Sequence, residues 1–471
     1  MTADHATDTD GHYDVDLAVV GSGGAEMAAG IVARKAGRSV VLIERGEIGG
    51  TCVNVGCVPS KTLLAAAGSR HGALTHPFAG VPTSADAVDL AALVEQKAEL
   101  VGRLKQHKYA DVAEACGFSV LTGEARFADA EVLEVDGRPL RARAYVIATG
   151  SQPTLTGIAG IEEVEYLTST TAMELAEVPA SLVVIGGGYV GMEQAQLFAH
   201  LGAEMSMIGH LAPHAEPDLR VVMADVFTDD GISVIEDRAV SVKHTEGGAV
   251  TVSTASGREV TAERLLVATG RRSDTTALNL AAAGVETDER GFVRIDAHQR
   301  TTNPRVYAAG DVAGTPQYVY VAAASGRVAA ANALAVEGAP LATVDYTGLP
   351  AVMFTRPQLA SAGLTEAEAL AQGYPCACRT LALEDVPRAL VNRDTRGAVK
   401  LIADASTGRV LGVHAAADGA GEMMLAATYA IKAQMTIDDL ADTWAPYLTM
   451  AESFRLVAGL FRNELPTSCC A

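Results

Sequence analysis

One pattern, used twice, constrains the fold more than any other feature of the 471-residue chain. Asp16 to Val20 is a short apolar run that feeds Gly21-Ser22-Gly23-Gly24-Ala25-Glu26, then an Ala-rich helical stretch, then Ser39 to Ile43 and the acid Glu44. That order predicts strand, glycine turn, helix, strand and terminal carboxylate. Glycines at 21, 23 and 24 allow a tight turn and close backbone approach to a pyrophosphate at a helix N-terminus, while Glu44 accepts from the hydroxyl pair of a ribose. Glu26 stands where a third Gly or Ala is usual and is expected to pack at the helix edge.

The pattern returns at Leu182 to Ile185, Gly186-Gly187-Gly188-Tyr189-Val190-Gly191, a helix predicted from Met192 to Gly202, and a strand from Met205 to Ile208. Here Gly186, Gly188 and Gly191 take the phosphate-turn places. Gly209 stands where the first copy has an acid, and His210 and His214 follow. Without a carboxylate to repel a 2′-phosphate, NADPH is favoured over NADH. Val146 to Gly150 and Leu266 to Gly270 echo each other as apolar strands ending in Thr-Gly, read as domain crossovers. A third strand, Arg305 to Ala309, ends in Gly310-Asp311, where a carboxylate suits a polyol chain beside a backbone turn.

Between the first two strands of this pattern and the rest lies Gly49-Gly50-Thr51-Cys52-Val53-Asn54-Val55-Gly56-Cys57-Val58-Pro59-Ser60-Lys61, with a helical run from Leu63 to Ala67 after it. A cysteine at the positive end of a helix has its thiolate favoured. A structural disulfide or two buried thiols is the plain alternative, but structural disulfides are rare in chains lacking an export signal. Residues 1–13 are polar and acidic, and no apolar run reaches membrane-spanning length, so a cytoplasmic location without membrane insertion is expected. A net charge of −21 with no Lys/Arg cluster argues against nucleic acid as a partner. Seven cysteines is an odd count, unlike a disulfide scaffold. Cys116 reads as a small core residue, and Cys376-Ala377-Cys378 lacks the matching Cys/His pair of a zinc site.

Two nucleotide sites plus a redox-capable thiol pair imply an electron relay. Hydride from a nicotinamide carries two electrons, and a flavin is the usual cofactor that passes them to sulfur. The Cys52–Cys57 stretch, both glycine turns, the two Thr-Gly strands and Ala308-Ala309-Gly310-Asp311 together resemble the flavin disulfide reductases of the glutathione reductase and dihydrolipoamide dehydrogenase class. The resemblance implies an α/β protein with two Rossmann-like domains. FAD would be bound by 12–150 and 273–340, NADPH by 151–272, and 341–471 would form an α+β interface domain making a homodimer with composite active sites. It assigns Gly21, Gly23, Gly24, Glu44, Thr51, Gly150 and Asp311 to FAD, and Gly186, Gly188, Gly191, His210 and Gly270 to NADPH. Cys57 would sit against the flavin, Cys52 would exchange with substrate, and Lys61 would lie near the reactive flavin nitrogen, paired with Glu193.

The C-terminal run separates the branches. Members that reduce organic disulfides carry His-Pro-Thr there, and the His supplies the proton a thiol leaving group needs. In Trp444-Ala445-Pro446-Tyr447-Leu448-Thr449-Met450-Ala451-Glu452, Tyr447 replaces it, and no His follows His414. Cys469-Cys470 stands one residue from the end. Adjacent cysteines close a disulfide poorly, so two thiolates on a tail read as a soft-metal claw, against the alternative of a chance tail. With Tyr189 and the run Glu384 to Leu390, these residues resemble the mercuric reductase branch.

That resemblance implies that Cys469 and Cys470 take Hg(II) from small thiols and pass it to Cys52 and Cys57 of the other subunit, where it is reduced to Hg(0). Tyr189 and Tyr447 would line the route, their alternatives being nucleotide-site gating and interface packing. Many relatives carry an N-terminal domain with its own Cys-x-x-Cys. None precedes the first strand here, so loading from cellular thiols or a mercury-transfer protein is expected. Arg356 and His210 depart from residues frequent in relatives. Two rivals remain at this level, a disulfide reductase whose terminal cysteines relay electrons and a flavoprotein that sequesters Hg(II) without turnover.

Overall fold

The computed structural model describes residues 13–155, 157–245, 247–273 and 275–463. Cys469 and Cys470 lie outside them. The chain divides into two compact units, one drawn from 1–59, 97–154 and 271–345 and the other from 60–96, 155–270 and 346–471.

The first unit is built on a seven-stranded sheet. Val15–Val20, Val40–Glu44 and Ser119–Thr122 run parallel, and Val15–Val20 pairs on its other side with the ten-residue strand Arg138–Ile147. That long strand also takes Val306–Ala308 in parallel, which joins segments some 160 residues apart in one sheet. Leu17, Ala18 and Val19 are fully buried, as expected for a parallel strand covered on both faces. On one face the helices Gly24–Lys35 and Val319–Ala333 pack closely, because a Cβ at Gly326 would run into the Ala25 backbone. On the other, Phe127, Leu133, Tyr145, Ile147 and Val293 form a second apolar layer.

The second unit holds a parallel sheet in the order Ser233–Ile235, Glu204–Ile208, Ser181–Ile185, Arg264–Val267, the same arrangement on a smaller scale. The helix expected from Met192 begins at Tyr189 and ends at Leu201, since Gly188 already has the extended dihedrals of an N-cap. Leu63 and Ala67, from the helix Cys57–Thr75, join its core beside Met192, Phe198 and Phe227. A five-stranded antiparallel sheet completes the unit, Pro350–Met353, Gln358–Gly363, Val410–Ala417, Ala398–Asp404 and Cys376–Ala382, backed by the helix Ala420–Lys432. Its two central buried strands, Ala398–Asp404 and Val410–Ala417, read as continuous buried runs.

Arg356 is held inside this unit. Its N–H donates to Gln196 Oε1 at 2.7 Å and its Nη1 to the Gly68 carbonyl at 3.1 Å. Cys116 is half-buried and packs at the edge of the first unit's core, as its sequence context suggests.

Candidate active site

The first glycine turn is fixed from both sides. Gly21 has φ +118°, a conformation that side chains with a Cβ rarely adopt, and its N–H donates to the Ile43 carbonyl at 2.7 Å. Ser22 Oγ donates to Glu44 Oε2 at 2.6 Å, and the Gly46 N–H donates to Glu44 Oε1 at 2.8 Å, which orients the carboxylate at the end of its strand. A Cβ on Gly50 would come within 2.7 Å of Gly23 Cα, so glycine is what lets the 49–51 loop lie against the turn. Thr51 sits in that loop, inside a short helix Gly50–Asn54 that the sequence did not announce.

Glu26 does not stay at the helix edge. It is 4 % exposed, and its carboxyl turns back beneath Gly21 and Gly23. Burial pushes its pKa up to about 8, against the N–H groups of Glu26 and Gly23 and helped by the charges of Glu44 and Asp311. At neutral pH this acid is held mainly as the protonated form, which lowers the charge beneath an anion-binding turn.

Asp311 is half-buried just after Val306–Ala308 and accepts from Ser151 Oγ at 2.9 Å, one residue after Gly150. Arg271 Nε donates to the same hydroxyl at 2.8 Å. Burial raises the Asp311 carboxyl, opposed by Ser151 and the Arg271 charge. Neither Ser151 nor Arg271 carries a signal in the sequence pattern beyond following a Thr-Gly turn.

Cys52 lies half-buried within Gly50–Asn54, and Cys57 is exposed as the first residue of Cys57–Thr75. The link is tight. The Val55 N–H donates to the Thr51 carbonyl at 3.0 Å, and a Cβ on Gly56 would come within 2.8 Å of the same oxygen. The charges of the pair reach aromatic and basic groups of the same unit. Burial, then the Cys52, Glu26 and Cys57 charges, push the Tyr109 phenol up to about 12. Burial, Tyr318 and Cys57 raise Tyr320, whose ring stacks on Tyr318 at 5.2 Å. Arg271 is lowered by burial, with Asp311 and Cys57 acting the other way. The cysteine motif itself gives no sign of these three neighbours, which arrive from 109, 271 and 320.

In the second unit, Lys61 Nζ donates to Glu193 Oε2 at 2.6 Å, and the Phe354 N–H donates to Glu193 Oε1 at 2.9 Å. Lys61 Nζ also lies 4.7 Å from the centre of the Phe354 ring. Both oxygens of a nearly buried carboxylate are thereby engaged.

The second glycine turn repeats the first almost dihedral for dihedral, with Gly186 at φ +120° and Gly188 at φ −79°, ψ −175° beside Gly23 at φ −84°, ψ −151°. Cβ atoms on Gly187 and Gly191 would strike the His210 and Gly186 carbonyl oxygens. Nothing lies within 4 Å of where a Cβ on Gly188 would stand, which leaves room for a pyrophosphate at this helix start. Gly209 and Gly270 both lie at positive φ around it, and His210 is exposed.

Tyr189 opens the helix and lines a small cavity of about 30 Å³ with Glu216, Met353, Ser361 and His414. Tyr447 is half exposed, and Trp444 nearby is 98 % exposed. The structure thus gathers Gly21, Gly23, Gly24, Glu44, Thr51, Gly150, Asp311, Cys52 and Cys57 in the first unit, and Gly186, Gly188, Gly191, His210, Gly270, Lys61, Glu193, Tyr189 and Tyr447 in the second.

Comparison with known proteins gives a consistent result. Residues 15–326 match the family model described as pyridine nucleotide-disulphide oxidoreductase, and residues 349–458 match its dimerisation domain. A mercuric reductase of Streptomyces lividans is 51 % identical over 98 % of this chain and 99 % of its own length. A mercuric reductase of Bacillus cereus is 44 % identical over 99 % of this chain and 75 % of its own. Among solved structures, the HOCl-induced flavoprotein disulfide reductase RclA of Escherichia coli superposes with a TM-score of 0.84 at 28 % identity, covering 94 % of this chain and 99 % of that one. LpdA of Mycobacterium tuberculosis superposes at 0.83 and 27 %, covering 95 % and 100 %.

Proposed function

Because the chain belongs to the pyridine nucleotide-disulphide oxidoreductase family, and within it to the mercuric reductases, we infer that its NADPH- and FAD-dependent reduction of Hg(II) runs through the Cys52–Cys57 thiols, loaded from Cys469 and Cys470. The cofactors supply the electron path, a hydride from NADPH to FAD and two electrons onward to Hg(II). The dimerisation domain makes the enzyme a homodimer. The remaining roles belong to side chains.

Gly21, Gly23, Gly24 and Thr51 would hold the FAD pyrophosphate side, with Glu44 on its ribose and Asp311, steadied by Ser151 beside Gly150, on the polyol chain. Gly186, Gly188, Gly191, Gly270 and His210 would hold NADPH. Glu193 orients Lys61 through their 2.6 Å bond, leaving the ammonium fixed for the flavin nitrogen it is assigned to. Cys57 would face the flavin and Cys52 would exchange metal with incoming thiolates. Tyr189 and Tyr447 would line the ion's path. The FAD segments are proposed as 12–150 and 273–340, the NADPH domain as 151–272 and the interface domain as 341–471. The parallel sheets of 15–147 with 306–308, and of 181–267, support that division. A cytoplasmic location is supported by three unbridged thiols, Cys116, Cys376 and Cys378. Small thiols or a mercury-transfer protein would deliver the ion.

The observation that carries a metal over a disulfide as substrate is the missing proton donor. A departing thiol must be protonated, whereas a two-coordinate metal moving between thiolate pairs needs no such group. Tyr447 stands at the family's histidine place. The last histidine in the sequence, His414, is 3 % exposed, has its Nε2 at 2.9 Å from the Leu364 carbonyl and is depressed by burial.

The test measures NADPH oxidation with Hg(II) in excess thiol, beside oxidised glutathione and lipoamide, for the parent and for Cys469→Ala with Cys470→Ala. Mercury-dependent oxidation, weak response to both disulfides and impaired turnover of thiol-bound Hg(II) in the variant are expected. Unchanged turnover of the variant under excess thiol would remove the tail from the path, and disulfide-dependent oxidation with mercury only inhibiting would make the terminal cysteines an electron relay.

A further inference from the structure

The thiols of Cys376 and Cys378 remain outside the machinery described above. They open the edge strand Cys376–Ala382 of the five-stranded sheet, where Cys376 pairs with Asp404 and Cys378 with Ile402. Alternation along a strand sends residues two apart to the same face. Both side chains accordingly pack against one small apolar cluster, Ala369, Ile402 and Leu411 with Leu364. Both are half-buried and unbridged.

Their spacing disfavours a disulfide. Residues two apart in a strand are separated by roughly 6.6 Å at Cα, at the far end of the range that a disulfide spans without backbone movement. A linear sulfur–metal–sulfur unit needs about 4.6 Å between sulfurs, twice a typical thiolate–metal bond, which two strand side chains on one face reach by rotation about χ1. The surroundings are acidic. The charge of Glu366 acts on both thiols, and those of Asp404 and Glu216 act on Cys376. Lys400, bonded to Glu216, Asp218 and Glu366, offsets part of that field.

An ion that prefers four ligands is poorly served here. Among the described residues the one group of three metal-competent His, Cys, Asp or Glu side chains is His71, His200 and Asp230, elsewhere in the unit. A soft two-coordinate ion is complete with two thiolates.

We propose that Cys376 and Cys378 form a second binding site for soft, two-coordinate metal ions, Hg(II) above all, separate from the thiols that carry turnover. Loading is a ligand exchange without redox change. Hg(SR)2 and two protein thiols give the Cys376–Hg–Cys378 chelate and two RSH, each protein thiol's proton leaving on a released thiol. Burial and Glu366 push Cys378 up to about 12, which slows alkylation of this thiol without preventing it and leaves exchange onto a soft metal open. The site would hold metal when the incoming flux exceeds reduction.

The experiment uses the full-length FAD-loaded protein without NADPH. It is mixed with the Hg(II)–bis(cysteine) complex in excess cysteine, desalted, and assayed for mercury per chain. The parent should retain one ion more than Cys376→Ser with Cys378→Ser, and each single variant should lose that same ion. Equal retention by parent and double variant, or full retention by either single variant, overturns the chelate. A measurement that needs no variant runs alongside, mass-spectrometric alkylation of Cys376 and Cys378 with and without Hg(II). Joint protection by the metal is expected, and no protection overturns the site. NADPH-dependent Hg(II) turnover of the double variant should equal that of the parent, so this site can fail without touching the mercuric reductase reading.

Discussion

At the scale of single residues, two buried carboxyl groups, Glu26 and Glu193, make sharp expectations. Glu26 has a folded-state pKa of about 8 against an ordinary 4.5. Between those values the folded chain holds a proton that the unfolded chain releases, so stability falls as pH rises from about 4.5 to 8. Glu26→Gln keeps the shape and removes the titration. It should flatten that fall and stabilise the protein at pH 8 by up to a few kcal/mol, since each pKa unit is worth about 1.4 kcal/mol. Urea unfolding of both proteins at pH 5 and pH 8 tests it, and an equal difference at the two pH values would refute the account. Lys61 and Glu193 form an ion pair at 2.6 Å. Lys61→Met leaves a nearly buried carboxylate with only the Phe354 N–H, and should cost about 2 kcal/mol, the partly exposed ammonium keeping the loss below that of a fully buried pair. Adding Glu193→Gln should recover part of the loss, and a double variant no more stable than Lys61→Met would contradict the pairing energy. The sequence placed these two residues by motif match, but their bond depends on a fold that joins positions 132 apart.

At the scale of elements, the two strand–turn–helix units were legible because the glycine spacing is a backbone requirement. Gly191 shows why. A Cβ there strikes the Gly186 carbonyl, so Gly191→Val should spread the turn and lower kcat/KM for NADPH at least tenfold while the flavin absorption stays that of the parent. Parental NADPH kinetics would refute the collision at Gly191, and loss of the flavin would show that the two turns are not independent. The short helix Gly50–Asn54 was not legible, because its residues have no amphipathic period and its form follows from the close approach of Gly50 to Gly23. The buried fold of Glu26 was misread for a related reason. A carboxylate in a helix's first turn suits the surface by propensity, and only the space beneath Gly21 and Gly23 draws it in.

At the scale of the whole molecule, the family's dimerisation domain predicts cover for surfaces that one chain leaves bare. Trp444 is the only tryptophan and is 98 % exposed in the single chain. Its fluorescence should be blue-shifted in the dimer and move to the red when dilution or mild denaturant separates the subunits before they unfold. Emission typical of water-exposed tryptophan in a protein that sediments as a dimer would place the interface elsewhere. The sequence by itself determined the two dinucleotide folds, the thiol pair and the cofactors. Each rests on a local rule, a glycine where a Cβ would collide or a thiol at a helix start, and local rules are written in adjacent residues. Tertiary structure alone decided the surroundings, Tyr109, Arg271 and Tyr320 about Cys52 and Cys57, Ser151 under Asp311, and Glu26 beneath its own turn. Those contacts join residues far apart in the chain, and their energies come from burial and charge that no sequence window contains.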